Sequence, residues 1–182
     1  MEFWIFSNDA TNAVKYIESG VTKICVDIES IGKKERQSSR NTFISDHVLE
    51  DVILISKEIG IERTICRINP FYSDSNLEIE KAIKYGAGSI IVPYFNDISS
   101  LNKILTLIDG RVKTIALVET IQSFLRIEEV SNTQNLERIH IGLNDLSLEI
   151  GFQDMFEMVR MRWMETISKK INPNVKFGFG GV

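Results

Sequence analysis

Short apolar runs alternate with amphipathic stretches along the whole chain. Seven runs read as strands: Phe3 to Ser7, Lys23 to Ile28, Arg63 to Ile68, Ser89 to Val92, Thr114 to Val118, Arg138 to Ile141 and Lys176 to Phe179. Several are apolar at every position, such as Ile90-Ile91-Val92 and Ile115-Ala116-Leu117-Val118, as strands are when both sheet faces are covered. The stretches between them carry helix signals. Asn8 or Asp9 caps a helix that runs to Ser19 and ends at Gly20. Asp46 caps a second, with Val48, Val52, Ile53, Ile55 and Ile59 on one stripe and Gly60 at its close. Further helices are expected over Glu78 to Tyr85, Ser99 to Ile108, Ser123 to Val130 and Met155 to Ile171. Ser30 to Ser45 is polar and shows no period.

Strands alternating with helices give a parallel α/β architecture. The repeat of about 29 residues suits a TIM (β/α)8-type barrel better than an open doubly wound sheet. No G-x-G-x-x-G or G-x-x-x-x-G-K-[ST] turn follows an early strand, which weakens the dinucleotide and P-loop alternatives. Eight such units need roughly 230 residues. The chain has 182, so the expectation is an incomplete barrel of about seven strands, a single domain over 1–182 without its C-terminal part. Its open edge would call for a cover, such as a partner chain.

Composition narrows the function classes. The net charge is −4, which argues against a non-specific nucleic-acid binder. No apolar run approaches the roughly 18–20 residues of a membrane span, and the start, Met1-Glu2-Phe3, lacks the basic region of a signal peptide. A cytoplasmic location with no membrane partner is expected. Cys25 and Cys66 sit inside apolar strands and read as buried thiols. The methionine-rich stretch Met155, Met158, Met161, Trp163, Met164 reads as core, or as a surface that packs a neighbour.

TIM barrels place their chemistry at the C-terminal ends of the strands. There the sequence puts Asp27 and Glu29 after strand 2, Arg67 and Asn69 at strand 3, Glu119 after strand 5, Asp145 after strand 6, and Gly178, Gly180 and Gly181 after strand 7. Carboxylates are hard oxygen donors that suit Mg²⁺ or Mn²⁺. An arginine beside them can hold a carboxylate or an enolate oxygen. Glycines let backbone N–H groups approach an anion. Each carboxylate taken alone also has a plainer reading as a helix cap or a solvated loop charge; Asp145 could cap a short helix at Leu146.

The ordered set Val26-Asp27-Ile28-Glu29, Cys66-Arg67-Ile68-Asn69, Gly86-Ala87-Gly88-Ser89-Ile90-Ile91-Val92-Pro93, Leu117-Val118-Glu119-Thr120 and Ile141-Gly142-Leu143-Asn144-Asp145-Leu146-Ser147 resembles the HpcH/HpaI aldolase and citrate lyase family. The resemblance implies a Mg²⁺- or Mn²⁺-dependent TIM-barrel lyase of the phosphoenolpyruvate/pyruvate superfamily. Such an enzyme makes or breaks a C–C bond beside a 2-oxo acid or an acyl-CoA, through an enolate that the metal stabilises. It implies Glu119 and Asp145 as the metal carboxylates and Arg67 as the catalytic arginine facing the substrate oxygen. It implies backbone N–H groups around Asn144 and Asp145 as the holders of the substrate carboxylate. Asp27 and Glu29 match the acidic pair that orders the site and its metal-bound water, and are expected to be catalytic, with a metal-bound water beside them as the base. A homo-oligomer is also implied.

The chain departs from that pattern at Ser30, where the aldolases of the family carry an acid/base histidine. The following Gly32-Lys33-Lys34-Glu35-Arg36 looks closer to the citrate-lyase branch. His47 could serve as a base if its loop folds back, or simply begin a helix with Asp46; His140 is expected to face helices. Two other readings stay open. One is phosphoenolpyruvate-type phosphotransfer or a mutase, with Lys33, Lys34, Arg36 and Arg40 as a phosphate cluster or, more plainly, a solvated loop. The other is a degenerate, non-catalytic barrel that binds.

Overall fold

The computed structural model describes residues 1–33 and 45–181. All seven expected strands form: β1 (Trp4–Phe6), β2 (Lys23–Asp27), β3 (Thr64–Arg67), β4 (Ser89–Val92), β5 (Lys113–Val118), β6 (Arg138–Gly142) and β7 (Lys176–Gly180). They follow chain order in one seven-stranded sheet. The pairings of β1 with β2, β2 with β3, β3 with β4, β5 with β6 and β6 with β7 are all parallel. A doubly wound sheet reverses its order at a switch point. This order never reverses, which is the winding of a (β/α)8 barrel.

The helices among the described residues are α1 (Ala10–Glu18), α2 (Asp51–Ile59), α3 (Ser75–Tyr85), α4 (Ile98–Ile108), α5 (Ile121–Leu125), α6 (Ile127–Ser131), α7 (Leu143–Ile150), α8 (Glu157–Arg160) and α9 (Trp163–Ser168). The chain forms two compact units. The first is Met1–Ile91 with Arg111–Lys113. Its core contains Ile24, Val26, Val52, Ile55, Ile65, Cys66, Ile79 and Ala82, all fully buried. The second is Val92–Gly110 with Thr114–Val182. There Leu101, Ile108, Ala116, Val118, Ile139, Ile141 and Leu146 are fully buried. Each Val, Leu or Ile among them contributes about 1.5–3 kcal/mol by leaving water.

Local signals explain most element ends. The Asp9 carboxylate accepts the Asn12 N–H at 3.0 Å and starts α1. Gly86, in the left-handed region, ends α3. Three expectations are corrected. The second helix starts at Asp51, not near Asp46, because residues 45 to 47 are engaged at β2 and Val48 stands half exposed, off the buried stripe. The long helix over Met155 to Ile171 is instead α8 and α9, since Arg162 takes a left-handed φ of 59° that no helix continues through. Asp145 is not the N-cap: Gly142 holds that place in α7, and Asp145 lies in its first turn.

Cys25 and Cys66 are buried free thiols, as read, and burial pushes both thiol pKa values up. Met158 and Met164 are buried while Met161 is exposed, so the methionine stretch is mostly core. Trp163 there stacks on Phe124 with ring centroids 6.0 Å apart. Among the described residues no helix is long and apolar enough to cross a membrane.

Candidate active site

In the first unit, β2 ends in Asp27 and β3 in Arg67, and the register pairs these two residues. Their side chains meet as a fork. Arg67 Nε donates to Asp27 Oδ1 and Arg67 Nη2 to Asp27 Oδ2, both at 2.7 Å. Arg67 also lies 3.4 Å from Glu29 Oε2, and its guanidinium sits 4.7 Å from the centre of the Phe6 ring. A second cation joins them. Lys33 Nζ donates to Asp27 Oδ2 at 2.7 Å and stands 3.9 Å from Glu29 Oε2. Asp27, Glu29 and Lys33 are each at most 3% exposed. Burial raises the Asp27 carboxyl pKa, but the hydrogen bonds and charge of Arg67, with Lys33, outweigh it and hold the group below the ordinary aspartate value.

Lys33 therefore corrects the expectation of a solvated or phosphate-binding loop: it is buried in an ion cluster. Lys34, Arg36 and Arg40 lie outside the described residues. A fixed turn carries Lys33. Asn69 Oδ1 accepts the Ser30 N–H at 2.8 Å and the Ile31 N–H at 3.0 Å. Asn69 in turn donates to the buried Glu78, from its backbone N–H to Oε1 at 2.8 Å and from Nδ2 to Oε2 at 2.7 Å. Tyr72 donates its hydroxyl to the same carboxylate at 3.1 Å. Burial and that neighbouring charge push the Tyr72 pKa up to about 12. Ser30, which stands where the resemblance led us to look for a histidine, is thus tied to Asn69.

His47 comes back to the same strand end. Its Nδ1 accepts the Asp27 N–H at 2.9 Å, and Ser45 Oγ donates to the Asp27 carbonyl at 3.0 Å. Since β1 ends at Phe6, the imidazole takes a backbone donor that a longer strand would have satisfied. An Nδ1 that accepts leaves the proton of the neutral ring on Nε2. Burial lowers the His47 pKa, against the opposing pull of Asp27, Asp51 and Asp46.

In the second unit, Glu119 follows β5 and is 3% exposed. Its Oε1 accepts the Tyr94 N–H at 2.9 Å, with Tyr94 bent to a left-handed φ of 44°. Gly142 at the end of β6 makes room for the same carboxylate. A Cβ there would lie 2.8 Å from Glu119 Cβ and 3.0 Å from Oε2. Half-buried Asn144 and Asp145 follow in the first turn of α7, where backbone N–H groups have no intrahelical partner. A Cβ at Gly181 would lie 2.8 Å from the Asn144 nitrogen.

The other glycines of β7 serve a different end from the one expected. Cβ atoms at Gly178 and Gly180 would meet His140 Nδ1 at 3.1 Å and Nε2 at 3.2 Å, so they make room for a ring. His140 has the same strand parity as Gly142, while the fully buried Ile139 and Ile141 take the opposite face. It therefore stands on the sheet face that carries Glu119, not on the face expected.

Glu119 and Asp145 fit a hard divalent cation. Both are oxygen donors, and a side chain in place of Gly142 would crowd Glu119 Oε2. Among the described residues no group of three or more His, Cys, Asp or Glu stands together as a ligand set. Two carboxylates with water or substrate filling the rest is the Mg²⁺ manner of binding.

The chain aligns over 98% of its length with the crystal structure of the citrate synthase SbnG, at a TM-score of 0.73 and 18% identity, covering 76% of that chain. It aligns over 98% with an HpcH/HpaI aldolase from Desulfitobacterium hafniense DCB-2, at a TM-score of 0.74 and 12% identity, covering 76% of it. The fold is that of the HpcH/HpaI aldolases and citrate lyases. A citrate lyase beta subunit from M. tuberculosis, complexed with oxaloacetate and magnesium, shares it at a TM-score of 0.65 and 16% identity, over 97% of this chain and 77% of that one. No protein-family model matches the chain, and no curated protein matches it in sequence.

The sequence reading missed two contributors and gave a third another role. Lys33 reads there as a phosphate-cluster or loop charge, and the Tyr94 N–H carries no mark in the sequence. Glu78 does: it falls with Ser75, Ile79 and Ala82 on the buried stripe of α3, and a carboxylate at a core position needs partners.

Proposed function

We propose that the chain is a divalent-metal-dependent carbon–carbon lyase or aldolase that acts on a 2-oxo acid, or on a citrate- or malyl-type substrate, by way of an enolate. The observation that carries this reading is Glu119: a buried carboxylate, oriented by the Tyr94 N–H, packed against a glycine where a Cβ would lie 3.0 Å from its Oε2, with Asp145 after the neighbouring strand. Glu119 and Asp145 would hold Mg²⁺ or Mn²⁺. When bound, such a cation supplies a Lewis acid for the oxygens of a 2-oxo acid.

The remaining roles belong to the chain's own groups. Arg67 would face the oxygen that gains negative charge when the C–C bond breaks. Its fork on Asp27 fixes the guanidinium in advance, so its charge needs no reorganisation during reaction. Backbone N–H groups at the start of α7, around Asn144 and Asp145, would take the substrate carboxylate. Asp27 and Glu29 order the arginine rather than offering themselves as bases. The relatives with this fold are named as aldolases, citrate lyases and a citrate synthase, and one was solved with oxaloacetate and magnesium.

Binding of Mn²⁺, followed by its electron paramagnetic resonance signal, tests the assignment. Glu119→Gln should weaken the cation by more than the roughly 10-fold that a lost outer-shell contact costs. A folded protein that binds no Mn²⁺, or a Glu119→Gln variant that binds it as well as the parent, would favour the non-catalytic binding reading instead.

A further inference from the structure

The mechanism above leaves Glu78 unused. It is 9% exposed, on the stripe of α3 that also carries Ile79 and Ala82. A carboxylate at a core position costs stability unless it is partnered, so its partners define its use. Oε1 accepts the Asn69 N–H at 2.8 Å, and Oε2 accepts Asn69 Nδ2 at 2.7 Å and the Tyr72 hydroxyl at 3.1 Å. A carboxylate only accepts, so it requires the NH₂ side of the Asn69 amide. The other side of that amide faces groups that only donate: Oδ1 takes the Ser30 and Ile31 N–H groups at 2.8 and 3.0 Å. Both sides demand the same orientation. Nδ2 also reaches the Ile28 carbonyl at 3.3 Å. Ile28, Ser30 and Ile31 bracket Glu29, whose Oε2 lies 3.4 Å from the Arg67 guanidinium.

We infer that Glu78, through Asn69, positions the turn after β2 against Arg67. Acceptors at both oxygens of Glu78 fix the Asn69 amide, the amide fixes the turn, and the turn holds Glu29 beside the arginine that faces the developing enolate oxygen. Glu78 and Asn69 are thus positioning residues, a role that rests on the one given to Arg67 under Proposed function. Glu78→Gln breaks the chain of matches. One acceptor becomes a donor, which meets either the Asn69 N–H or Asn69 Nδ2, donor against donor. If Asn69 turns its amide to relieve this, Nδ2 meets the Ser30 and Ile31 N–H groups instead. The double variant Asn69→Asp with Glu78→Gln exchanges amide and carboxylate. The carboxylate then accepts from Ser30, Ile31 and the new amide, and the amide oxygen accepts the backbone N–H of residue 69.

The test uses the full chain and two readouts: amide hydrogen exchange at Ser30 and Ile31, and exchange of the pyruvate methyl group in D₂O with Mg²⁺. Glu78→Gln should speed hydrogen exchange at both amides at least about tenfold. It should lower the methyl exchange rate at saturating pyruvate at least about tenfold and keep KM within about threefold, as for a contact that acts in the transition state. Mn²⁺ affinity should stay within about twofold, because Glu119 and Asp145 belong to the other unit. The double variant should bring both readouts back to within about threefold of the parent. A merely structural pair would lower stability yet leave the folded protein turning over at the parent rate, which overturns the inference. Unchanged protection at Ser30 and Ile31, or a double variant no better than Glu78→Gln, overturns it as well. Should Glu78→Gln not fold, the double variant carries the test: parent-like protection and turnover support the inference, and loss of either overturns it. A parent protein with protected amides that binds Mn²⁺ but exchanges no methyl hydrogen overturns the role of Arg67 and the positioning role with it.

Discussion

Asp27 accepts from three donor groups at once, the Arg67 fork, Lys33 and the Glu29 N–H, and much of the first unit's electrostatics turns on it. Replacing it by Asn removes the closest counter-charge of two cations in a buried place, which costs about 3–5 kcal/mol; denaturant unfolding of Asp27→Asn should show a loss of that size. Its folded pKa is depressed, so its contribution is complete above the ordinary aspartate value and disappears as pH falls through the lower, folded value. Asp27→Asn should accordingly flatten the acid limb of the stability profile. His47 works in another window. Its neutral form is favoured in the fold, so the unfolded chain binds the proton first as pH drops below the ordinary histidine value of 6.5. The parent should lose more stability between pH 7 and pH 5 than His47→Gln does, as thermal melts at the two pH values would show. Equal losses would mean that Nδ1 is not the acceptor of the Asp27 N–H.

At the scale of elements, β6 and β7 carry glycines where a side chain would collide. Gly142→Ala places a carbon 2.8 Å from Glu119 Cβ. The carboxylate must move, and cation affinity should fall about 10- to 100-fold, as when a metal ligand loses its orientation. A Mn²⁺ titration of Gly142→Ala checks this, and an unchanged affinity would remove Glu119 from the metal site. The strands were readable because parallel strands covered on both faces are apolar throughout: Ser89–Val92 was located to the residue. The break in the last helical stretch was not, because a left-handed Arg162 has no signature comparable to glycine. The start of α2 was hidden for a different reason. Asp46 and Val48 have the local pattern of a helix start, but the side chains of Ser45 and His47 serve the end of β2, and that long-range demand prevails over local preference.

At the scale of the whole molecule, strand order and the alignment with aldolases and citrate lyases give the fold. The expectation of a (β/α)8-type architecture with about seven strands rested on repeat length and alternation, which depend only on where apolar runs fall. Of the proposed site, the strand-end placement of the carboxylates and the arginine was legible, since strand-end positions can be read from the sequence. Its partnerships were not: nothing in Ser30 to Ser45 marks Lys33 as buried, because the polarity of a loop residue says little about which carboxylate it will reach. The central claim is metal-dependent enolate chemistry at Glu119, Asp145 and Arg67. The most direct test is proton NMR of pyruvate in D₂O with the protein and Mg²⁺ or Mn²⁺, alongside circular dichroism to establish that the sample is folded. The account predicts loss of the methyl signal by exchange, dependent on the cation and absent in Glu119→Gln. A folded parent protein that leaves the methyl signal intact, or a Glu119→Gln variant that exchanges as fast as the parent, would contradict it.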